Sequence, residues 1–159
     1  DAVVRRVCDK LAADAAAKSL KIHVDLLPVA VVGNELRIEQ VIVNFIGNAI
    51  RYTLEGGDIF VTTVDEGARV KVCVENKGAH IPTDQLDKIW DRFYRIESSR
   101  ARSTGGTGLG LAISRRILEL HEAPYGVENT ADGVVFYFSL GKHLEEARSV
   151  RHKTYSKAR

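Results

Sequence analysis

The sequence predicts an α+β fold: a two-layer sandwich in which a mostly antiparallel, mixed sheet is covered on one face by three helices. Two observations carry this. The elements run helix, strands, long helix, hairpin, loop, helix, strands, which segregates helices from strands instead of alternating them as a doubly wound sheet does. The glycine-rich run at residues 105–110 follows a polar loop and not a strand, so it fails the dinucleotide-binding fingerprint, and it lacks the Gly-Lys-Ser/Thr end of a P-loop.

Each element has a local reason. Residues 2–19 are rich in Ala, with Val3, Val4, Val7, Leu11 and Ala15 at helical spacing. Ile22 to Leu26 alternates and reads as a strand, and Val29 to Val32 as a short second strand ended by Gly33. Asn34 to Thr53 reads as one helix with Asn34 as N-cap. Leu54-Glu55-Gly56-Gly57 is a turn, and the β-rich runs 58–65 and 69–75 form a hairpin about Glu66-Gly67. Asn76 to Pro82 is a loop. Thr83 to Phe93 is a short helical stretch, capped by Thr83, with Leu86, Ile89 and Trp90 on its apolar side. Residues 95–107 form a polar loop, Gly108 to Glu122 a helix, and Val134 to Leu140 the final strand. Residues 1–141 are thus one globular domain, and 142–159 a basic tail.

A chain of 159 residues, 45% hydrophobic and 28% charged, can bury one real core. A net charge of +2 makes no electrostatic case for nucleic acid. The charge is uneven: residues 142–159 hold six basic and two acidic residues, so the tail carries +4 and the remainder −2. Cys8 and Cys73 have no metal-ligand spacing; Cys73 lies in an apolar alternating run and is expected as a buried small side chain. A reducing compartment fits. No apolar run is long enough to cross a bilayer and no signal peptide is visible, so direct membrane insertion is not expected. The chain starts at Asp1 and contains no Met, which predicts a piece of a longer protein.

Two segments point to a nucleotide. Gly106, Gly108 and Gly110 fall at every second position and open an amphipathic helix, which presents backbone N–H groups to an anion. Upstream, Arg37, Gln40, Asn44, Asn48 and Arg51 share one narrow stripe of the 34–53 helix. Such a stripe also suits a solvated face. Against that, it carries two amides one turn apart in place of a Lys/Glu mixture, and Asn is a poor helix former.

In this order the pieces resemble the catalytic and ATP-binding domain of sensor histidine kinases, of the GHKL (HATPase) superfamily, whose ATP-binding fold is the Bergerat fold. Glu39-Gln40-Val41-Ile42-Val43-Asn44-Phe45-Ile46-Gly47-Asn48-Ala49-Ile50-Arg51-Tyr52-Thr53 resembles the asparagine box. Asn76-Lys77-Gly78-Ala79-His80-Ile81-Pro82 resembles a degraded first glycine box, Ile89-Trp90-Asp91-Arg92-Phe93-Tyr94-Arg95 the phenylalanine box, and Gly105 to Leu111 the second glycine box. Within the family, the segment around Trp90 to Arg100 is most similar to vancomycin-resistance sensor kinases.

The resemblance implies ATP and Mg²⁺ as cofactors. Asn48 would ligate the metal through its amide oxygen, with Asn44 assisting through water or phosphate. Arg51, Arg95 and Arg100 would contact the phosphates, the last two from a lid that is mobile without nucleotide. Tyr52, Gly78 and Ile81 would lie near the nucleotide, and Gly106, Thr107, Gly108, Leu109 and Gly110 would offer backbone donors. Asn44, Asn48, Arg51, Arg95 and Arg100 would thus be the catalytic set. Trp90 and Phe93 would anchor the lid.

Departures from the family are informative. Asn76 stands where an acidic residue usually accepts from the adenine amino group; its amide oxygen can still accept. His80 replaces a glycine and either narrows the pocket or points to solvent. ATP-hydrolysing relatives such as gyrase carry a Glu at the place of Asn44 to activate water; an amide cannot act as a base, which favours phosphoryl transfer to a protein. Ala123-Pro124 replaces a glycine pair.

None of His23, His80, His121, His143 and His152 sits in the phosphoacceptor pattern of the family. The resemblance therefore places the phosphorylated histidine on a dimerisation domain outside this chain. It also implies a homodimeric kinase, a cytoplasmic position beneath a bacterial membrane, and a response regulator as partner. The competing readings are a nucleotide-binding module of the superfamily without kinase activity, a relative that phosphorylates Ser on a partner protein, and a binder using the basic tail.

Overall fold

Residues 1–96 and 107–143 are described in the computed structural model of the chain. In chain order the elements are α1 (Ala2–Ala17), β1 (Lys21–Asp25), α2 (Glu35–Tyr52), β2 (Asp58–Asp65), β3 (Arg69–Lys77), α3 (Gly110–Leu120), β4 (Tyr125–Asn129) and β5 (Gly133–Gly141). The strands form one sheet in the order β1-β2-β3-β5-β4. Among the described strands only the β1–β2 pair is parallel, with Ile22 opposite Ile59. The others are antiparallel, with Val61 opposite Val74, Val72 opposite Phe138 and Val127 opposite Phe136. This is the predicted mixed, mostly antiparallel sheet with helices on one face.

Period-two alternation sorts the two faces. On β3, Val70, Val72, Val74 and Asn76 are buried, whereas Lys71, Cys73, Glu75 and Lys77 are half-buried on the opposite face. Cys73 is therefore not in the core as expected. Its neighbours Val72 and Val74 take the inward positions, and a strand cannot turn three consecutive residues the same way.

Phe45 of α2 is the hub of the core. Its ring lies 5.4 Å from Phe136, 5.9 Å from Phe138 and 6.2 Å from Trp90. Burying a side chain of this size contributes about 1.5–3 kcal/mol. Val7 of α1 and Leu118 of α3 complete the helical layer, both fully buried.

Four local expectations are corrected. Val29 to Val32 makes only a single bridge, Val31 to Lys142; Pro28 supplies no N–H, and the segment crosses only the end of β5. Residues 83–93 form two 3₁₀ turns, Thr83–Gln85 and Lys88–Trp90, in place of one helix, and Thr83 makes no side-chain cap. So short a helix is marginal on its own, and burial of Ile89 and Trp90 fixes the path instead. The expected helix from Gly108 begins at Gly110, because Gly108 has φ +69. Finally, β4 is a strand that its Gly126 and Asn129 disguise. Gly126 lies against the end of the Tyr137 side chain, whose hydroxyl a Cβ there would meet at 2.5 Å and would have to displace.

Candidate nucleotide site

The long helix α2 is fastened at both ends. The Asn34 side chain accepts from the Arg37 N–H at 3.1 Å, the predicted N-cap. The Asn34 N–H in turn donates to Nε2 of His121 at 3.1 Å, while Nδ1 of that ring donates to the Ile117 carbonyl at 2.8 Å. One imidazole thus joins the end of α3 to the start of α2. At the other end, the Lys18 ammonium donates to the carbonyls of Ile50, Arg51 and Thr53 at 2.7, 3.1 and 2.7 Å. These are orphan acceptors at a helix C-terminus, where a cation is also favoured by the macrodipole.

Of the stripe on α2, Asn44, Asn48 and Arg51 line a cavity, whereas Arg37 is exposed and neither it nor Gln40 lines that cavity. Nδ2 of Asn44 donates to the Gly110 carbonyl at 2.9 Å and to Oγ of Ser114 at 3.0 Å. A carbonyl can only accept, so the orientation of the Asn44 amide is fixed. Both of its hydrogens are committed to α3, and Oδ1 remains as its free acceptor. Four residues on, Asn48 occupies the same side of the helix and lines the same cavity.

The glycine run meets the preceding segment through backbone contact. The Phe93 N–H donates to the Gly108 carbonyl at 2.9 Å. Both residues have left-handed backbones, φ +62 for Phe93 and φ +69 for Gly108. A Cβ on Gly108 would lie 2.9 Å from Cα of Phe93, so only glycine fits. The Phe93 side chain is 72% exposed and is not an anchor; Trp90, 7% exposed, is. Its indole packs edge-on against Tyr125 at 4.9 Å and Phe136 at 5.8 Å.

These elements enclose a cavity of about 470 Å³, a size suited to a small-molecule ligand. Asn44, Asn48, Arg51, Tyr52, Asn76, Ile81, Arg95, Thr107, Gly108 and Gly110 of the expected set line it. Gly78 and Leu109 do not. Gly78, at φ +150, instead shapes the loop, its N–H donating to the Asp132 carbonyl at 3.0 Å. Leu109 precedes α3 as its N-cap residue. Arg100 and Gly106, and most of the lid expected over 95–107, lie outside the described residues, as does the tail beyond His143. His80 is exposed yet stands at the rim of the cavity.

The lining is chemically mixed: Asn44, Asn48, Arg51 and the start of α3 supply polar groups, Ile81, Ile89, Val134 and Phe136 supply apolar surface, and Asn76, 6% exposed, adds a further amide. Among the described lining residues there is no Asp or Glu, whereas Arg51 and Arg95 are cationic, so the field favours an anion. Val134 and Phe136 escaped sequence reading as site residues, although their period-two spacing on the last strand puts them on the helix-facing side. The loop that carries Ile81 is braced by Asn129, which accepts from the Ile81 N–H at 2.9 Å and donates to the Ile81 carbonyl at 2.8 Å.

Residues 33–144 match the family of histidine kinase-, DNA gyrase B- and HSP90-like ATPases. The chain belongs to this family. Among solved structures of such ATPases it is similar to the nucleotide-free catalytic domain of histidine kinase ThkA, with a TM-score of 0.78 and 32% identity, over 88% of this chain and 90% of that one. This places it with histidine-kinase catalytic domains. Among curated relatives, sensor protein VanSB of Enterococcus faecalis is 37% identical over 103 residues, 65% of this chain and 23% of the relative. Sensor histidine kinase RppB of Synechocystis is 38% identical over 109 residues, 68% of this chain and 24% of the relative. The chain thus spans about a quarter of the curated relatives it matches. The similarity to VanSB is no greater than to RppB, so it does not single out the vancomycin-resistance branch of these ATPases.

Proposed function

We propose that this chain is the ATP-binding catalytic domain, residues 1–141, of a two-component sensor histidine kinase. It takes the γ-phosphoryl group of ATP to a histidine on the dimerisation domain of a homodimeric kinase, for relay to an aspartate of a response regulator. The observation that carries this is the joining of two motifs. Asn44 and Asn48 of α2 face the glycine start of α3 across one cavity, and no carboxylate lines it among the described residues. Among solved structures, full-length ShkA, 27% identical, is described in complex with AMPPNP, and ThkA, 28% identical, in complex with response regulator TrrA.

Mg²⁺ suits this donor set. No group of three or more His, Cys, Asp or Glu among the described residues could hold a metal. The amide oxygens of Asn48 and Asn44 are hard, neutral donors, and Mg²⁺ readily completes its shell with phosphate oxygens and water. When bound, the ion neutralises phosphate charge. Arg51 and Arg95 would hold the phosphates in line, and the N–H groups at the start of α3 would add oriented donors. Asn44, with its hydrogens committed to α3, accepts only and cannot deprotonate water, which directs the phosphoryl group to a protein acceptor.

We place the domain in the cytoplasm, where the free thiols of Cys8 and Cys73 are stable. Among the described residues no helix is long and apolar enough to cross a membrane. Calorimetric titration with ATP, with and without Mg²⁺, tests the site. Radiolabelled ATP with the histidine-bearing domain added tests the transfer. Tight binding without any transfer would leave a nucleotide-binding module and refute the kinase reading.

A further inference from the structure

Ser114 is fully buried, 0% exposed, on the side of α3 that meets α2. It is not among the residues that line the cavity. Serine is a poorer helix former than alanine, and a hydroxyl shut away from water needs a partner. That partner is the Asn44 amide, whose Nδ2 donates to Oγ of Ser114 at 3.0 Å and to the Gly110 carbonyl at 2.9 Å. Two positions one turn apart on α3 thus hold a single side chain of α2.

The two acceptors do different work. The Gly110 carbonyl can only accept, so it decides that the N–H edge of the amide turns toward α3. It does not decide the plane of the amide. The last torsion of asparagine is broad, and a group held by one hydrogen bond can swing about it. The Ser114 hydroxyl can accept or donate, and it accepts here because the carbonyl has already turned the N–H edge toward it. Two fixed points on one NH₂ group define its plane, and with it the direction of Oδ1. A Cβ on Gly110 would lie 3.5 Å from both Cγ and Oδ1 of Asn44, so the amide rests directly against the first residue of α3. Oδ1 is not sealed in protein: the one buried side-chain oxygen or nitrogen left without a partner among the described residues is Oε1 of Gln85.

With both hydrogens committed, Asn44 has nothing to donate to a phosphate oxygen. It offers the cavity a lone pair with a set direction. Such an oxygen suits a hard divalent cation or the water on it, and the groups that orient a donor govern how well it serves. We propose that Ser114 is a positioning residue for Mg²⁺ in the nucleotide site: its hydroxyl fixes the plane of the Asn44 amide and so aims Oδ1 at the ion or its water. The inference rests on the nucleotide reading of the site given above. Ser114 acts through Asn44 and touches no ligand itself.

The test is calorimetric titration with ATP, with and without Mg²⁺, on the parent, Ser114→Ala, Asn44→Ala and the double variant. Alanine at 114 removes the hydroxyl without adding an atom and is the better helix former; urea unfolding checks that each variant is folded. In Ser114→Ala the gain in ATP affinity that Mg²⁺ brings should shrink by about tenfold, while the metal-free affinity stays within about twofold of the parent. In the Asn44→Ala background the same substitution should alter the Mg²⁺ response by no more than about twofold, because the side chain it orients is gone. A Mg²⁺ response in Ser114→Ala equal to that of the parent overturns the inference. So does the same drop with Asn44 already removed, or a loss of ATP affinity that is equal with and without the metal; either would make Ser114 a packing residue. ATP binding by the parent without any Mg²⁺ response overturns it too, and spares the nucleotide cavity. Absence of ATP binding by the parent would refute the nucleotide reading itself.

Discussion

The side-chain amide of Asn44 donates to the backbone carbonyl of Gly110 across the groove between α2 and α3, at 2.9 Å. This one bond ties the helix that carries the amide pair to the glycine turn that faces it. Replacing Asn44 with Asp would set a carboxylate against that carbonyl, which can only accept, while the Ser114 hydroxyl could turn to donate. Urea unfolding of Asn44→Asp should show a loss of about 1–3 kcal/mol. A variant as stable as the parent would mean that the tie contributes nothing.

Asn48 should behave differently. It lines the cavity without a hydrogen bond to any described side chain, and Ala is the better helix former by several tenths of a kcal/mol. Asn48→Ala is expected to keep or slightly raise the melting temperature while removing the Mg²⁺ dependence of ATP binding. Calorimetry with and without the metal reads this directly; an unaltered metal response would remove Asn48 from the site.

Gly108→Ala places a methyl group 2.9 Å from Cα of Phe93 and 3.0 Å from its carbonyl carbon, at φ +69. Strain of about 1–3 kcal/mol is expected. The segment around Phe93 must then shift, so ATP affinity should fall by tenfold or more, roughly the same energy expressed in binding. Equal affinities for variant and parent would contradict this.

Asn129→Leu should loosen the loop that carries Ile81. It removes the two hydrogen bonds to the backbone of Ile81, each worth about 0.5–1.5 kcal/mol. Amide hydrogen exchange at Ile81 is the readout, and it should accelerate by at least tenfold while exchange at Phe45 stays slow.

Acid should weaken the fold. The Lys142 ammonium, and then the Gly67 N–H, hold the Asp65 carboxyl below its usual range; the Ser139 hydroxyl does the same for Glu66, and the Arg115 guanidinium for Glu119. A carboxylate whose folded pKa is depressed stabilises the fold above its unfolded value, about 4. That contribution is lost as pH falls through the folded values. Stability measured by urea between pH 6 and pH 3 should therefore decline, and less steeply in an Asp65→Asn, Glu119→Gln double variant.

What could be read from the sequence followed the range of the interactions involved. The cap at Asn34, the α2 stripe and the hairpin about Glu66-Gly67 are local, so spacing alone reveals them. The inward face of β5 was visible as a strand, but its role as cavity wall was not, because that depends on where Ile81 and Tyr94 come to rest. The strand β4 depends on β5 as its partner, with Gly126 opposite Tyr137. Phe93 misled for the same reason. A large aromatic residue beside Trp90 suggests burial, yet its backbone, not its ring, makes the contact with Gly108.

Phe136 has two audiences. One side of its ring packs on Phe45 at 5.4 Å, in the hub of the core, and the residue also forms part of the cavity wall. The hydrophobic interior is thus a structure with one unfinished side, where water meets the same aromatic cluster that holds the sheet to α2. A flat heterocycle lodged there would act as the last piece of the interior. Thermal resistance of the domain would then follow the concentration of a diffusible small molecule, rising by RT ln(1 + [L]/Kd), and an energy-starved cell would hold a softer version of this protein than a well-fed one.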